Sequence, residues 1–243
     1  MTFITTKLYG RGANQAYQIS TCIATALRYN VDYLIPRFTG GDPIYFNHLE
    51  LPEFIPNIHN VKYQHREGRP RYEKIRFRPN MQLDGYWQSF NYFNDFRSEI
   101  LSLFKWKWEL NKGFVSIHVR RGDYINNKAF PLLTDKYYRD AVAYFKQLGY
   151  ENFLVFSDDI KWCKEYFGTF EANFKYSEGT TPQQDMELMS MCEHNITANS
   201  SFSVYSAWMN RNEDKIVVCP TSRKFFIGVN RDMIPSNWKQ IDF

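Results

Sequence analysis

The sequence has no Cys-x-x-Cys pair. Its four cysteines, Cys22, Cys163, Cys192 and Cys219, are widely spaced in apolar surroundings. That excludes a zinc ribbon and a disulfide framework and leaves buried free thiols in a reducing compartment as the expectation. No run approaches the ~18 apolar residues a membrane span requires. The opening stretch MTFITTKLYG lacks a charged region followed by a long apolar one, so no signal peptide is expected. The chain is read as soluble and cytoplasmic. The sequons at Asn195 and Asn199 then carry no meaning as glycan acceptors. Charge of one sign is also scarce in excess. Thirty basic against 26 acidic residues give +4, too little to indicate nucleic acid, which is not an expected partner. No internal repeat or low-complexity segment is present.

What is there is an α/β pattern. The 243 residues suit one large domain or two of about 110 each. Aromatics make up 18%, which suits a large core and, secondarily, a carbohydrate-handling surface. Short apolar runs alternate with amphipathic stretches, as in parallel sheets. Strands are predicted at Thr2–Leu8, Val31–Ile35 and Met81–Tyr86. Helices are predicted at Asn14–Tyr29, with Ile19, Ile23, Ala26 and Leu27 on the inward face, and at Phe90–Leu103. Residues 37–80 have little periodicity. In the second half strands are predicted at Phe114–Arg120, Phe153–Ser157, Phe174–Tyr176, Asn195–Asn199 and Lys215–Cys219. Helices are predicted from Thr134 to Leu148 (Leu148 inward, Gly149 the stop), at Ile160–Phe167, from the capping box at Thr181 to about Cys192, and at Phe202–Asn210. The reading is two doubly wound halves, residues 1–110 and 111–243.

Ligands of open parallel sheets bind at the carboxyl ends of the strands. At one such end stand Arg120 and Arg121, whose forked donors suit phosphate oxygens. A surface pair of Arg121 with Asp123, or a structural pair buried under a loop, is the other reading of the same residues. An adhesion role for the embedded Arg-Gly-Asp triplet does not fit its place after a buried strand. Three more strand-end loops carry Asp158 and Asp159, Asp185, and the run from Ala198 to Ser203. That last loop enters a helix, where hydroxyls and N–H groups hold an anion or simply cap. The adjacent Asp158 and Asp159 lack the intervening residue of an Asp-x-Asp metal motif. The five histidines have no ligand spacing, so no metal and no cofactor is predicted. Gly10–Gln15 links a strand to a helix but is neither a P-loop nor a dinucleotide fingerprint. Basic and aromatic residues interleave from His65 to Arg78. A solvated loop is the first reading of that segment, and a patch for an anionic partner is the second.

Together these segments resemble a known family. Ser116-Ile-His-Val-Arg-Arg-Gly-Asp-Tyr124 resembles the His-x-Arg-Arg-x-Asp motif shared by α-1,2-, α-1,6- and protein O-fucosyltransferases. Gly85-Tyr-Trp-Gln-Ser89, Phe156-Ser-Asp-Asp159, Asp185-Met-Glu-Leu-Met189, the run His194–Ser203 and Ala207-Trp208 are similar to segments of the α-1,2-fucosyltransferases, glycosyltransferase family eleven. Gly10-Arg-Gly-Ala-Asn-Gln departs from that family and is partly like the protein O-fucosyltransferases. Ser203-Val-Tyr205 stands where the family has Ser-Trp-Trp.

The resemblance implies an α/β fold of GT-B type, two Rossmann-like domains facing across a cleft, acceptor-side first and nucleotide-sugar-binding second. It implies inverting, metal-independent transfer of L-fucose from GDP-fucose to a glycan hydroxyl, α-1,2 to galactose. Carried over by position, Arg120 and Arg121 hold the diphosphate, and Asn14 faces the donor from the first domain. His118 and Asp185 surround the guanosine, Ser200, Ser201 and Ser203 lie near the phosphates, and Asn199 binds substrate. Asp158 and Asp159 shape the nucleotide pocket, Arg11 and Gln15 contribute to substrate binding, and Asp123 is the carboxylate nearest the arginines as base or brace. The expected partners are GDP-fucose and an oligosaccharide or glycan acceptor, with peripheral contact to membrane-bound glycan intermediates. Transfer to a peptide hydroxyl, transfer of another GDP-linked sugar, and a non-catalytic binding protein on the same fold stand as alternatives.

Overall fold

The structure is a computed structural model that describes residues 1–36, 58–68, 71–221 and 231–243. It forms two compact units, Met1–Trp106 with Asn230–Pro235, and Lys107–Val229 with Ser236–Phe243.

The first unit holds β1 (Phe3–Thr6), α1 (Gly12–Tyr29), β2 (Asp32–Leu34), β3 (Tyr63–Arg66), β4 (Met81–Asp84) and the short α2 (Arg97–Ser102). The four strands pair in the order β2-β1-β4-β3, every pair parallel. Only Asn14 is not buried between Gly12 and Ala26 of α1, and Leu27 of the expected inward face is exposed. The helix is covered on more than its sheet side: the Tyr17 ring lies 5.3 Å from Phe90 and 5.8 Å from Phe93. β3 was not foreseen. It is an edge strand, with Tyr63, Gln64 and Arg66 exposed, so it lacks the apolar alternation of a half-buried one.

The helix expected over Phe90–Leu103 is broken. Two 3₁₀ turns, Phe90–Tyr92 and Asn94–Phe96, precede α2. Phe93, at φ −145°, separates the turns, and Phe90, Tyr92 and Phe93 are all buried. Three aromatics so closely spaced do not share one face of an α-helix. Core burial therefore overrides the helical pattern. Arg28 donates to the freed Tyr92 carbonyl at 3.1 Å.

The second unit holds β5 (Asn111–Val119), α3 (Asp135–Gln147), β6 (Asn152–Ser157), α4 (Ile160–Phe167), β7 (Asn173–Tyr176), α5 (Pro182–Met191), β8 (Cys192–Ile196), α6 (Ser201–Met209), β9 (Val217–Pro220) and β10 (Lys239–Ile241). The sheet order is β10-β9-β8-β5-β6-β7, all parallel. Val115, Ile117 and Val119 of β5 pack with Tyr137, Tyr138, Ala141, Val142 and Phe145 of α3 to form its core. Burial drives this packing, at about 25 cal/mol per Å² of apolar surface.

The Thr181 capping box forms as expected: its hydroxyl accepts from Gln184 N, and the Gln184 side chain accepts from Thr181 N at 2.8 Å. Thr134 occupies a cap position without a side-chain cap bond. Leu148 points outward rather than inward, because it lies past the last helical residue, where Tyr150 N bonds back to Phe145 O at 3.0 Å. β8 starts three residues before the expected Asn195, since the polar Glu193 and Asn195 hide its apolar pattern. The Asn195 side chain is buried and bonded to Ser116 and Met189. β9 includes Pro220, and the last strand is the unforeseen β10. All four cysteines are buried free thiols. No helix among the described residues is long and apolar enough to cross a membrane.

Candidate functional site

β5 is buried from Val115 to Val119, alternating Val115, Ile117 and Val119 with the buried polar Ser116 and His118, and two arginines follow as the chain leaves the sheet. There Arg120 and Arg121 precede a 3₁₀ turn, Gly122–Tyr124, closed by Tyr124 N and Ile125 N donating to Arg121 O, each at 2.8 Å. The registers His118↔Phe156 and Val119↔Ser157 bring Asp158 and Asp159 to the same edge. The carboxyl end of β5 thus gathers two guanidinium groups and three carboxylates.

The two arginines are engaged differently. Arg120 uses all three nitrogens: Nε and Nη2 on Asp123 Oδ1 at 2.8 and 2.7 Å, and Nη1 on Asp158 Oδ2 at 3.0 Å. Arg121 places Nε on Asp159 Oδ2 at 3.0 Å and lays its guanidinium 3.9 Å from the Trp162 ring centroid. Its backbone N–H donates to Asp158 Oδ1 at 2.9 Å. Its two terminal nitrogens make no hydrogen bond with the described residues. Asp123 therefore pairs with Arg120, and the sequence reading that paired it with Arg121 is corrected: three positions apart, Arg120 reaches forward over the turn to it.

Asp159 is also the N-cap of α4, accepting from Trp162 N at 3.2 Å. The Arg121 hydrogen bond leads the interactions that hold its carboxyl below the usual range. Asp158 sits against Gly122, where a Cβ would stand 2.8 Å from Asp158 Oδ2. Only glycine lets the turn pass this close to the carboxylate.

The loop from β8 to α6 borders the arginine turn. Tyr124 OH donates to Asn199 O at 3.0 Å, and Asn199 Nδ2 donates to Pro131 O at 2.7 Å. Ser200 is the N-cap residue of α6, but its hydroxyl makes no cap bond. Simple capping by Ser200 is thus not what the loop does. Ser203 Oγ instead accepts Ala198 N–H at 3.1 Å and donates to Ser200 O at 3.4 Å. Ser201 opens the helix.

His118 is 4% exposed, with its ring 5.3 Å from that of Phe202. Burial, reinforced by the Arg120 charge, pulls its pKa down to about 3, so the imidazole is neutral. Its Nδ1 is buried without a hydrogen-bond partner among the described residues. Asp185 lies further along the sheet, where the Ser177 and Thr180 hydroxyls both donate to its Oδ1 at 2.6 Å.

Arg11, Asn14 and Gln15 belong to the first unit. Arg11 is the N-cap residue of α1, without a side-chain cap bond. Gln15 Nε2 donates to Gly10 O at 2.9 Å, and Gln88 Nε2 donates to Asn14 Oδ1 at 2.7 Å. The basic stretch from His65 to Arg78 starts in β3 and continues without regular structure; residues 69 and 70 of it lie outside the described residues. The described parts of that stretch are therefore not a loop throughout.

Several site residues escaped the sequence reading. Trp162 lies under Arg121, and its position one turn into a helix capped by Asp159 was the available signal. Ser177 and Thr180 beside Asp185 gave none, because hydroxyl residues near an aspartate are common in turns.

The chain matches the family Glycosyl transferase family 11 over residues 3–242. It is 34% identical over 185 residues to an Escherichia coli alpha-1,2-colitosyltransferase, covering 67% of this chain and 63% of that one. It is 32% identical over 231 residues to the Escherichia coli O-antigen biosynthesis glycosyltransferase WbnK, covering 85% and 72%. Against mouse galactoside alpha-(1,2)-fucosyltransferase 1 the identity is 25% over 231 residues, covering 84% and 57%. The chain thus spans less than two thirds of two of these three relatives. Among solved structures, an Arabidopsis thaliana FUT1 mutant in complex with GDP gives a TM-score of 0.55 at 9% identity, covering 90% of this chain and 70% of that one. The NodZ alpha-1,6-fucosyltransferase soaked with GDP-fucose gives 0.52 at 12% identity, covering 86% and 93%. These likenesses carry the fold, α/β with parallel sheets and GT-B-like. The family match covers both units and includes the motifs that build the arginine turn, so the chain belongs to glycosyl transferase family 11.

Proposed function

We propose that the chain transfers L-fucose from GDP-fucose to a hydroxyl of a glycan acceptor, α-1,2 to galactose, with inversion and without a metal. One observation carries the donor assignment. Arg121 stands at the carboxyl end of β5 with its plane fixed by Trp162 and Asp159, while its two terminal nitrogens make no hydrogen bond with the described residues. A flat, pre-oriented pair of N–H donors suits two oxygens of a diphosphate. Arg120 fits a bracing role, since Asp123 and Asp158 engage its nitrogens.

In the reaction the acceptor oxygen forms a bond to C1 of fucose as the bond from C1 to the diphosphate oxygen breaks. The electron pair leaves with GDP, and the acceptor proton passes to a base. Negative charge grows on the diphosphate, and fixed donors aimed at it stabilise that charge more in the transition state than in the ground state. We assign Asp123 to the brace on the strength of its two bonds from Arg120. The neutral His118 is proposed to face the guanosine with Asp185. Asn199, Ser200, Ser201 and Ser203 are assigned to the phosphates, and Arg11, Asn14 and Gln15 to the first unit's share of substrate binding.

The test is a transfer assay in chelator with GDP-fucose and UDP-sugars on a panel of galactose-terminated oligosaccharides. Transfer from GDP-fucose alone supports the reading. No transfer from any GDP-sugar contradicts it. A second reading, transfer of a colitosyl group, is favoured by the 34% identity to the alpha-1,2-colitosyltransferase. A donor panel containing both sugars decides between them.

A further inference from the structure

The carboxyl edge of the first unit's sheet holds a second cluster, unrelated to the arginine turn. β1, β4 and β3 are adjacent and parallel, with Thr6 opposite Leu83 and Arg66 opposite Asp84. Their ends therefore coincide. Asp84 is the hub: Lys7 Nζ lies 2.8 Å from Oδ2, Arg66 Nε lies 3.6 Å from Oδ2, and Tyr9 OH donates to Oδ1. Burial raises the Asp84 pKa, but the Lys7 and Tyr9 bonds and the Lys7 and Arg66 charges outweigh it and bring it below the usual carboxylate value.

The turn that follows β4 is held by force. Glu67 Oε2 accepts both Tyr86 N and Trp87 N, at 2.7 and 3.1 Å. Gly85 makes room for it, since a Cβ there would stand 2.4 Å from Glu67 Cβ. Trp87, buried, adopts φ +56°, a left-handed conformation that is strained for a bulky residue. It is anchored edge-on against Tyr92, with centroids 5.2 Å apart. A half-buried carboxylate and a strained tryptophan thus fix one backbone shape. The result is that Tyr86 swings outward, 47% exposed, with its ring 6.1 Å from that of Tyr9 and tilted by 48°. An isolated exposed tyrosine means little. One held out by a dedicated clamp, beside a charged hydrogen-bonding hub at the ligand-binding edge of a parallel sheet, is a different matter.

We propose that Tyr86, Tyr9, Lys7 and Asp84 form a sugar-binding subsite, with the Tyr86 ring stacked on the apolar face of a pyranose and Asp84 and Lys7 hydrogen-bonded to its hydroxyls. The occupant is the terminal sugar of the glycan acceptor, so the assignment rests on the glycosyl-transfer reading above. Glu67 is the positioning residue that sets the turn. Binding without chemistry is enough to test the subsite itself.

The experiment has two arms, run on wild type, Tyr86→Ala, Tyr86→Phe and Glu67→Ala. In transfer assays, Tyr86→Ala raises the acceptor KM at least tenfold while GDP affinity and Tm stay unchanged, and Tyr86→Phe behaves as wild type. Glu67→Ala raises the acceptor KM in the same way, with kcat at saturation changed less. In saturation-transfer NMR with lactose, wild type gives signals on the galactose ring and Tyr86→Ala loses them. An acceptor KM within twofold in Tyr86→Ala, or lactose signals equal in the two proteins or absent from both, overturns the subsite. Failure of the donor reading shows separately, as absent GDP binding in wild type while the lactose signals persist.

Discussion

The Arg121 guanidinium lies 3.9 Å from the centroid of the Trp162 ring, and its Nε is fixed by Asp159. Trp162 is thus a floor that sets the plane of the cation. A cation–π contact of this kind contributes roughly 0.5–2 kcal/mol. Trp162→Leu should weaken GDP binding by about 2–30-fold, read by calorimetry, with net charge unchanged. Unaltered affinity would mean that Asp159 alone orients the arginine.

Gly122 permits the close approach of Asp158, which accepts from both Arg120 and the Arg121 backbone. Gly122→Ala puts a methyl 2.8 Å from the carboxylate oxygen and must push it away. The expected result is a tenfold or greater loss of GDP affinity with a small change in Tm. A variant that binds GDP as wild type does would show that the Asp158 bridge is not needed to shape the turn.

Asp123 as brace and Asp123 as base make different predictions. Its side chain is half exposed and paired with Arg120. Exposed pairs contribute about 0–1 kcal/mol. Asp123→Asn should therefore keep turnover within about threefold and cost little stability. A fall in turnover of 10² or more at unchanged GDP affinity would instead mark Asp123 as the base, in the range general-base loss produces.

The sequence made some of this legible and not the rest, for physical reasons. The arginine turn and the Asp158–Asp159 loop were readable because parallel strands put chemistry at their carboxyl ends, and buried β5 has a clear alternation of apolar residues, Val115, Ile117 and Val119. The engagement of Arg120 with Asp123, and the lack of a partner for the Arg121 tip among the described residues, depend on side-chain reach around a 3₁₀ turn, which spacing does not encode. β3 and β10 carry exposed polar residues and so leave no period-2 signal. The run Phe90–Leu103 reads as a helix but breaks, since Phe90, Tyr92 and Phe93 must all be buried. Nothing in the string of letters marks Trp87 as left-handed.

His118 gives a pH prediction. Its folded pKa is near 3, while an unfolded histidine titrates near 6.5. Between those values the unfolded chain binds the extra proton, so stability is full above about pH 6.5 and falls as pH drops, by about 1.4 kcal/mol per pH unit. His118→Leu should flatten the Tm-versus-pH curve between about pH 6.5 and 4.5. An unchanged slope would mean that His118 is not neutral in the fold.

The central claim is that Arg121 receives the diphosphate of a GDP-sugar. Calorimetry of GDP and UDP with wild type and Arg121→Ala, in the presence of a chelator, tests it most directly. The account predicts GDP binding without metal, much weaker UDP binding, and loss of GDP binding in Arg121→Ala, accompanied by a roughly 10²–10³-fold fall in turnover by analogy with loss of one oxyanion donor. Equal GDP affinity in the two proteins, or GDP binding only when a divalent cation is added, would contradict it.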